Sequence, residues 1–146
     1  MLTLLTTAHL LAAIFWIGGM MFVLTMLIPS LPRLTAPPPP QLMPTVLIRF
    51  LNAVAVAAFV LIATGPWLTI DMPMGAIYLK LTLALVMIVV YAYLRQRYLE
   101  TLEALALRPA GSPPTEEQAI ALAGVRKLAT INLSLSIVIV GLTTLG

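Results

Sequence analysis

Four long apolar runs constrain the fold of this chain more than any other feature. They cover residues 2–28, 46–68, 76–94 and 128–145. A helix needs about 20 apolar residues to cross roughly 30 Å of hydrocarbon, so each run is long enough to span a membrane. Because 61% of the 146 residues are hydrophobic and only 9% are charged, we predict an all-α polytopic membrane protein, folded as one domain over residues 1–146 in a four-transmembrane-helix bundle.

The same composition excludes several classes of protein. A soluble domain carries about 25% charged residues, far more than this chain does. The net charge of +3 comes from a few cations at the ends of apolar runs rather than on one face, so nucleic acid is not an expected partner. The chain has no cysteine, which excludes disulfides, thiolate metal sites and a cysteine nucleophile. The first run is too long for a signal peptide and lacks a basic segment before it.

Prolines and a capping motif define the connections between the spans. Pro29 is expected to end the first span, and residues 29–44 hold seven prolines, which favours an extended, polyproline-like connection. The third span is predicted to continue as a helix that leaves the bilayer and ends at residue 107. Thr115, with Gln118 three residues later, fits a capping box. The fourth helix is therefore expected to cover residues 116–145 and to begin in water.

The basic residues predict the orientation in the membrane. Seven of the eight Lys and Arg residues fall on the side of the first and third connections, and only Lys80 belongs to the other side. The positive-inside rule then places both termini, and the turn that contains Asp71, outside the cytoplasm. The expected location is a bacterial inner (cytoplasmic) membrane. The seven residues are Arg33, Arg49, Arg95, Arg97, Arg108, Arg126 and Lys127.

Two ionisable residues within the spans are candidates for function, since such a residue costs about 2.5–3.5 kcal/mol to insert. His9, the only histidine, is expected about 10 Å along the first helix, on a face shared with Trp16. Imidazole is the commonest metal ligand, so His9 is either a haem or metal ligand or a hydrogen-bonding partner of another helix. Lys80 enters the third span from the same side. It either extends to the membrane surface or neutralises an anionic group such as a haem propionate.

A methionine pair suggests a second kind of site. Met72 and Met74 lie in the turn after the second span, close to Asp71. Thioethers are good ligands for Cu(I), so these residues could collect copper together with His9. The alternative is an ordinary turn with two apolar anchors.

A second polar group lies towards the basic side of the spans. Arg49 is expected to reach lipid headgroups, and Asn52 and Asn132 are expected to form hydrogen bonds between helices. The adjacent Gly18 and Gly19 would allow a neighbouring helix or a cofactor to approach closely.

Several of these residues carry a resemblance to a known family. His9, followed by Trp16 and the Gly18-Gly19 pair, and Tyr78-Leu79-Lys80 in the third span are the more specific elements. They resemble the copper-resistance protein D (CopD) domain and the related small membrane proteins of the HemJ type. CopD proteins are associated with copper uptake, and HemJ-type proteins with haem b binding and oxidation of protoporphyrinogen. The resemblance implies that His9 and Lys80 are the key residues.

The chain also departs from the family pattern. The HemJ-like ending Arg-x-x-Asn-Glu is absent, because Leu133 follows Asn132. An oxidoreductase activity like that of protoporphyrinogen oxidase is therefore only one of the functions that the resemblance implies. Whether the chain is an enzyme does not follow from the resemblance alone.

Three functions are consistent with these residues. The first is a haem b protein for electron transfer or haem-linked redox chemistry, with His9 as axial ligand and with Lys80 and Trp16 near the cofactor. A single histidine per chain cannot supply both axial ligands of the haem iron. The second axial position would therefore hold Met or Lys or stay open, or the haem would be shared across a homo-oligomer. The second is a Cu(I) permease that uses His9, Met72 and Met74 and a copper-delivery partner. The third is a cofactor-free structural subunit, whose polar residues only specify helix packing in the bilayer.

Overall fold

The computed structural model describes residues 1–35, 39–68, 73–109, 112–113 and 115–144. Within these ranges the chain is helical and has no strands. Four helices are each long and apolar enough to cross a membrane, which confirms the predicted all-α, four-helix membrane fold. They are α1 (Leu2–Ser30), α2 (Leu42–Thr64), α3 (Met74–Ala106) and α4 (Glu116–Thr144).

The helices pack in a ring in which each contacts two neighbours. Helix α1 packs against α2 and α4, and α3 packs against the same two helices. Helices α1 and α3 are therefore diagonal to one another across the bundle. We call the end that holds the start of α1 and the end of α4 the terminal end. The opposite end, which holds the α1–α2 and α3–α4 connections, is called the basic end.

Helix α1 does not end at Pro29 as predicted. It continues to Ser30 and into a 3₁₀ turn over Leu31–Arg33. A π-helical turn, Val23–Leu27, comes directly before Pro29. The wider turn makes room for the proline ring, which would clash with the preceding turn of a regular α-helix. It also accommodates the hydrogen bond that is lost because proline has no N–H group. The Ser30 hydroxyl also donates to the Met26 carbonyl, at 2.6 Å. Pro29 thus alters the helix without terminating it.

Helix α2 begins four residues before the predicted start at residue 46. Its first residue is Leu42, and Pro44 lies buried in its first turn. The N–H groups of a first turn have no partner within the helix, so a proline there removes no hydrogen bond. The connection that the sequence predicts as extended is therefore shorter than expected; residues 36–38 of it lie outside the described residues.

The basic end of the bundle includes a helical extension of α3 beyond its apolar run. Helix α3 leaves the apolar part of the bundle and reaches Ala106, one residue short of the predicted end. Four side chains form the buried interior of this extension: Met43, Leu102, Leu105 and Ala121. The helix therefore continues beyond the apolar run, as predicted, and part of its extension is buried.

Helix α4 starts at Glu116, as predicted from the capping motif. The Gln118 N–H donates to Thr115 Oγ1 at 3.3 Å, which is the first half of a capping box. The Gln118 side chain does not complete the box. Its Nε2 donates to the Pro40 carbonyl at 3.5 Å and so ties α4 to the start of α2.

The core of the bundle is apolar and contains one well-ordered aromatic pair. Trp16 and Tyr91 meet edge to face, with ring centroids 5.9 Å apart. The Tyr91 hydroxyl donates to the Leu51 carbonyl at 2.8 Å, so the polar end of the buried ring is satisfied. Many large apolar side chains on the outer faces are exposed. Such a surface fits association with a lipid bilayer.

Candidate functional site

His9 lies on α1 and bonds to the end of α2. Its Nδ1 atom is 2.8 Å from Thr64 Oγ1. The Thr64 hydroxyl, in turn, donates to the Val60 carbonyl at 2.7 Å. A hydroxyl has one proton, and that proton is committed to Val60, so Oγ1 accepts the proton of His9 Nδ1. The neutral imidazole is therefore protonated on Nδ1, and its Nε2 atom carries a lone pair.

The end of α2 also packs against the imidazole ring. Thr64 is the last residue of α2, and Gly65 begins the 3₁₀ turn Gly65–Leu68. A Cβ atom at Gly65 would lie 3.6 Å from His9 Cε1, which is an ordinary van der Waals distance. Thr64 is buried and His9 is partly buried. The ring is thus held by a hydrogen bond to one residue and by contact with the next.

Lys80 lies near the start of α3, the helix diagonal to α1. It is six residues into α3 and His9 is seven residues into α1, which places them about 9 and 10 Å from the starts of their helices. Both helices start at the terminal end, so both residues lie in the terminal half of the bundle. Lys80 is partly buried. The hydrogen bond of His9, however, is made to α2 and not to α3.

Trp16 occupies a different layer from His9. It lies seven residues further along α1, about 10 Å along the helix axis. Its ring is buried against Tyr91 and lines a core cavity of about 30 Å³ that Asn132 also lines. The structure therefore does not bring Trp16 together with His9, although the sequence places both on one face of α1.

The proposed copper ligands are only partly within the described residues. Met74 is the first residue of α3 and is exposed. Met72 and Asp71 lie outside the described residues. In the part of the chain that the structure describes, no three His, Cys, Asp or Glu side chains come together to hold a metal ion. The copper site stays a prediction.

The two asparagines of the second polar group have different surroundings. Asn52 Oδ1 accepts from Arg95 Nη1 at 2.8 Å, so the expected bond between helices joins α2 to α3. Asn132 is only 4% exposed, and its Oδ1 atom has no hydrogen-bond partner among the described residues. Arg49 is exposed, as expected for a side chain that reaches the headgroups.

Sequence reasoning missed Thr64, the partner of His9. A threonine within an apolar run carries little signal, because its hydroxyl can satisfy itself on the preceding turn of its own helix. The available signal was its position. In an antiparallel pair, a residue near the end of the second span lies level with one near the start of the first.

Comparison of the chain with protein-family models, with curated proteins and with solved structures gives no match. The resemblance to the CopD and HemJ-type families therefore rests on the residues quoted above, and the function of the His9 site must be argued from its chemistry.

Proposed function

We propose that this protein binds haem b, with His9 Nε2 as an axial ligand, and acts in electron transfer or haem-linked redox chemistry. The observation that supports the proposal is the hydrogen bond from His9 Nδ1 to Thr64 Oγ1. A histidine that ligates a metal almost always donates its other ring N–H to a fixed acceptor, which sets the tautomer and the ring orientation. His9 has this arrangement before any ligand is added.

The residues around His9 fit the proposed group. Thr64 holds the ring and, by accepting from Nδ1, makes Nε2 a better electron donor. The apolar helices exclude water, which is one of the means by which a protein sets the potential of a redox centre. Lys80, near the start of the diagonal helix, would supply a cation for a propionate or a sixth ligand. When bound, haem would supply the one-electron redox centre that the side chains of this chain lack.

The first test is a visible spectrum of the protein, purified in mild detergent from haem-replete cells, in oxidised and dithionite-reduced forms. We expect a Soret band and sharp reduced α and β bands in the wild-type protein and their loss in His9→Ala. A colourless wild-type protein would overturn the proposal. Copper found by elemental analysis of that protein would support the permease, and a stability change alone would support a structural subunit.

A matched pair of variants tests the role of Thr64. Thr64→Ser keeps the hydroxyl acceptor, whereas Thr64→Val keeps the shape and removes it. Loss of an outer partner of a ligating histidine typically weakens metal affinity by about 10- to 100-fold. We expect haem affinity to fall by that factor in Thr64→Val and to stay near the wild-type value in Thr64→Ser. Equal affinity in the two variants would show that the hydrogen bond does not support ligation.

A further inference from the structure

A groove with a mixed apolar and cationic lining opens at the basic end, far from His9. Its volume is about 650 Å³, within the range of about 300–1,000 Å³ typical of ligand sites. It lies between the end of α1, the start of α2 and the first half of α4. The apolar lining comes from the end of α1, the start of α2 and one side of α4: Ile28, Leu31, Met43, Leu47, Leu122, Ala123, Val125 and Ile131.

The polar lining of the groove is cationic. Arg126 and Lys127 both contribute to the wall, and none of the described residues that line the groove is acidic. The third polar residue, Thr130, donates its hydroxyl proton to the Arg126 carbonyl at 2.9 Å. The hydrogen-bond donors left for a ligand are therefore the guanidinium of Arg126 and the ammonium of Lys127.

The position of these cations along α4 matches the boundary between headgroups and hydrocarbon. Residues 116–127 of α4 include four charged side chains, and residues 128–144 include none. Arg126 and Lys127 therefore stand at the last charged positions of the helix. They lie in the middle of the α4 segment that lines the groove, so a molecule that fills the groove meets cations with apolar side chains on both sides.

We propose that this groove is a binding site for an anionic phospholipid of the surrounding bilayer. The phosphate would contact Arg126 and Lys127, and an acyl chain would extend past Ile131 towards the hydrocarbon. Basic pockets between transmembrane helices are known to select anionic headgroups by this combination of charge and depth. The proposal does not depend on haem binding, because the groove and His9 are at opposite ends of the bundle.

The test compares two lipids that differ in headgroup charge. The full-length protein is equilibrated with equal amounts of phosphatidylglycerol and phosphatidylcholine with the same acyl chains, and retained lipid is counted by native mass spectrometry. We expect one phosphatidylglycerol to be retained preferentially. The preference should fall about 30-fold in Arg126→Gln/Lys127→Gln, which corresponds to two cationic contacts of about 1 kcal/mol each.

A matched variant controls for net charge. Arg33→Gln/Arg49→Gln removes two exposed cations from the same end of the bundle, outside the groove lining. It should retain the wild-type preference. Equal losses in the two double variants, or no preference in the wild-type protein, would overturn the proposal.

A second variant tests the groove without changing charge. Ala123 is an exposed residue of the groove wall, so Ala123→Trp should fill the groove and still fold, as checked by circular dichroism and gel filtration. We expect it to lose the retained phosphatidylglycerol although both cations are present. Undiminished retention in Ala123→Trp would show that the headgroup binds to surface charge alone.

Discussion

Two adjacent glycines of α1 differ sharply in their surroundings and allow a direct test of the helix packing. A Cβ atom at Gly19 would overlap the Phe50 ring of α2, with Cε2 nearest and Cζ at 3.1 Å. A Cβ atom at Gly18 would have nothing within 4 Å. The Phe50 ring also lies beside Phe15, with centroids 6.4 Å apart, which limits its movement. Only Gly19 is therefore needed for the close approach of α1 and α2.

The expected magnitudes follow from two opposing effects. Replacing glycine by alanine inside a helix stabilises it by about 0.5–1 kcal/mol. Forcing an extra carbon into a packed interface costs about 1–3 kcal/mol. Gly18→Ala should experience only the first effect and raise the free energy of unfolding by about 0.5–1 kcal/mol. Gly19→Ala should experience both, so its free energy of unfolding should lie about 1–3 kcal/mol below that of Gly18→Ala.

The assay is unfolding in mild detergent by titration with sodium dodecyl sulfate, followed by far-UV circular dichroism. Phe50→Leu in the Gly19→Ala background removes most of the ring that a Cβ atom meets, so it should recover much of the lost stability. Phe50→Leu in the Gly18→Ala background is the control and should bring no such recovery. If Gly19→Ala is as stable as Gly18→Ala, the packing of α1 against α2 described here is wrong.

Three further substitutions test other contacts. Tyr91→Phe keeps the contact with Trp16 but removes the hydrogen bond to Leu51, so it should lower the free energy of unfolding by about 1 kcal/mol; an unchanged thermal melt would contradict this. Thr115→Ala removes a helix cap worth about 1 kcal/mol and should speed hydrogen exchange at the start of α4, whereas unchanged exchange would show that the cap is not used. Gly124→Ala places a Cβ atom against the Tyr98 ring at a cost of about 1–3 kcal/mol. This cost should outweigh the gain of about 0.5–1 kcal/mol in helix stability and lower the free energy of unfolding. Adding Tyr98→Leu should restore stability, and failure to do so would point to another cause.

The membrane spans could be predicted from the sequence because hydrocarbon leaves the backbone few alternatives. Every N–H and C=O group in a span must be satisfied internally, so a long apolar run becomes a helix. The effects of the prolines could not be predicted in the same way. Pro29 is tolerated because the turn before it is π-helical, and Pro44 because it falls in a first turn. Both depend on where the helix begins and how it is wound, which local composition does not determine.

The sequence predicts the position of each candidate residue along its helix, but not the position of that helix around the bundle. Counting residues along each span predicts that His9 and Lys80 lie towards the same end of the bundle, and the structure places both there. The order of the helices around the bundle is not contained in such counts, since it depends on which faces pack together. The separation of Trp16 from His9, by contrast, does follow from such counts, because seven residues of helix span about 10 Å even where two side chains share a face.

The diagonal placement of α1 and α3 bears on the proposed role of Lys80. Packed helix axes lie about 8–10 Å apart, so axes diagonal across a four-helix ring lie about 11–14 Å apart. Thr64 holds the His9 ring towards α2 and not across the bundle towards Lys80 on α3. If haem is bound at His9, Lys80 on the diagonal helix would therefore hold a propionate more readily than serve as a second ligand. In that role the Lys80 cation would compensate the charge of the group, and His9 would be the residue that ligates it.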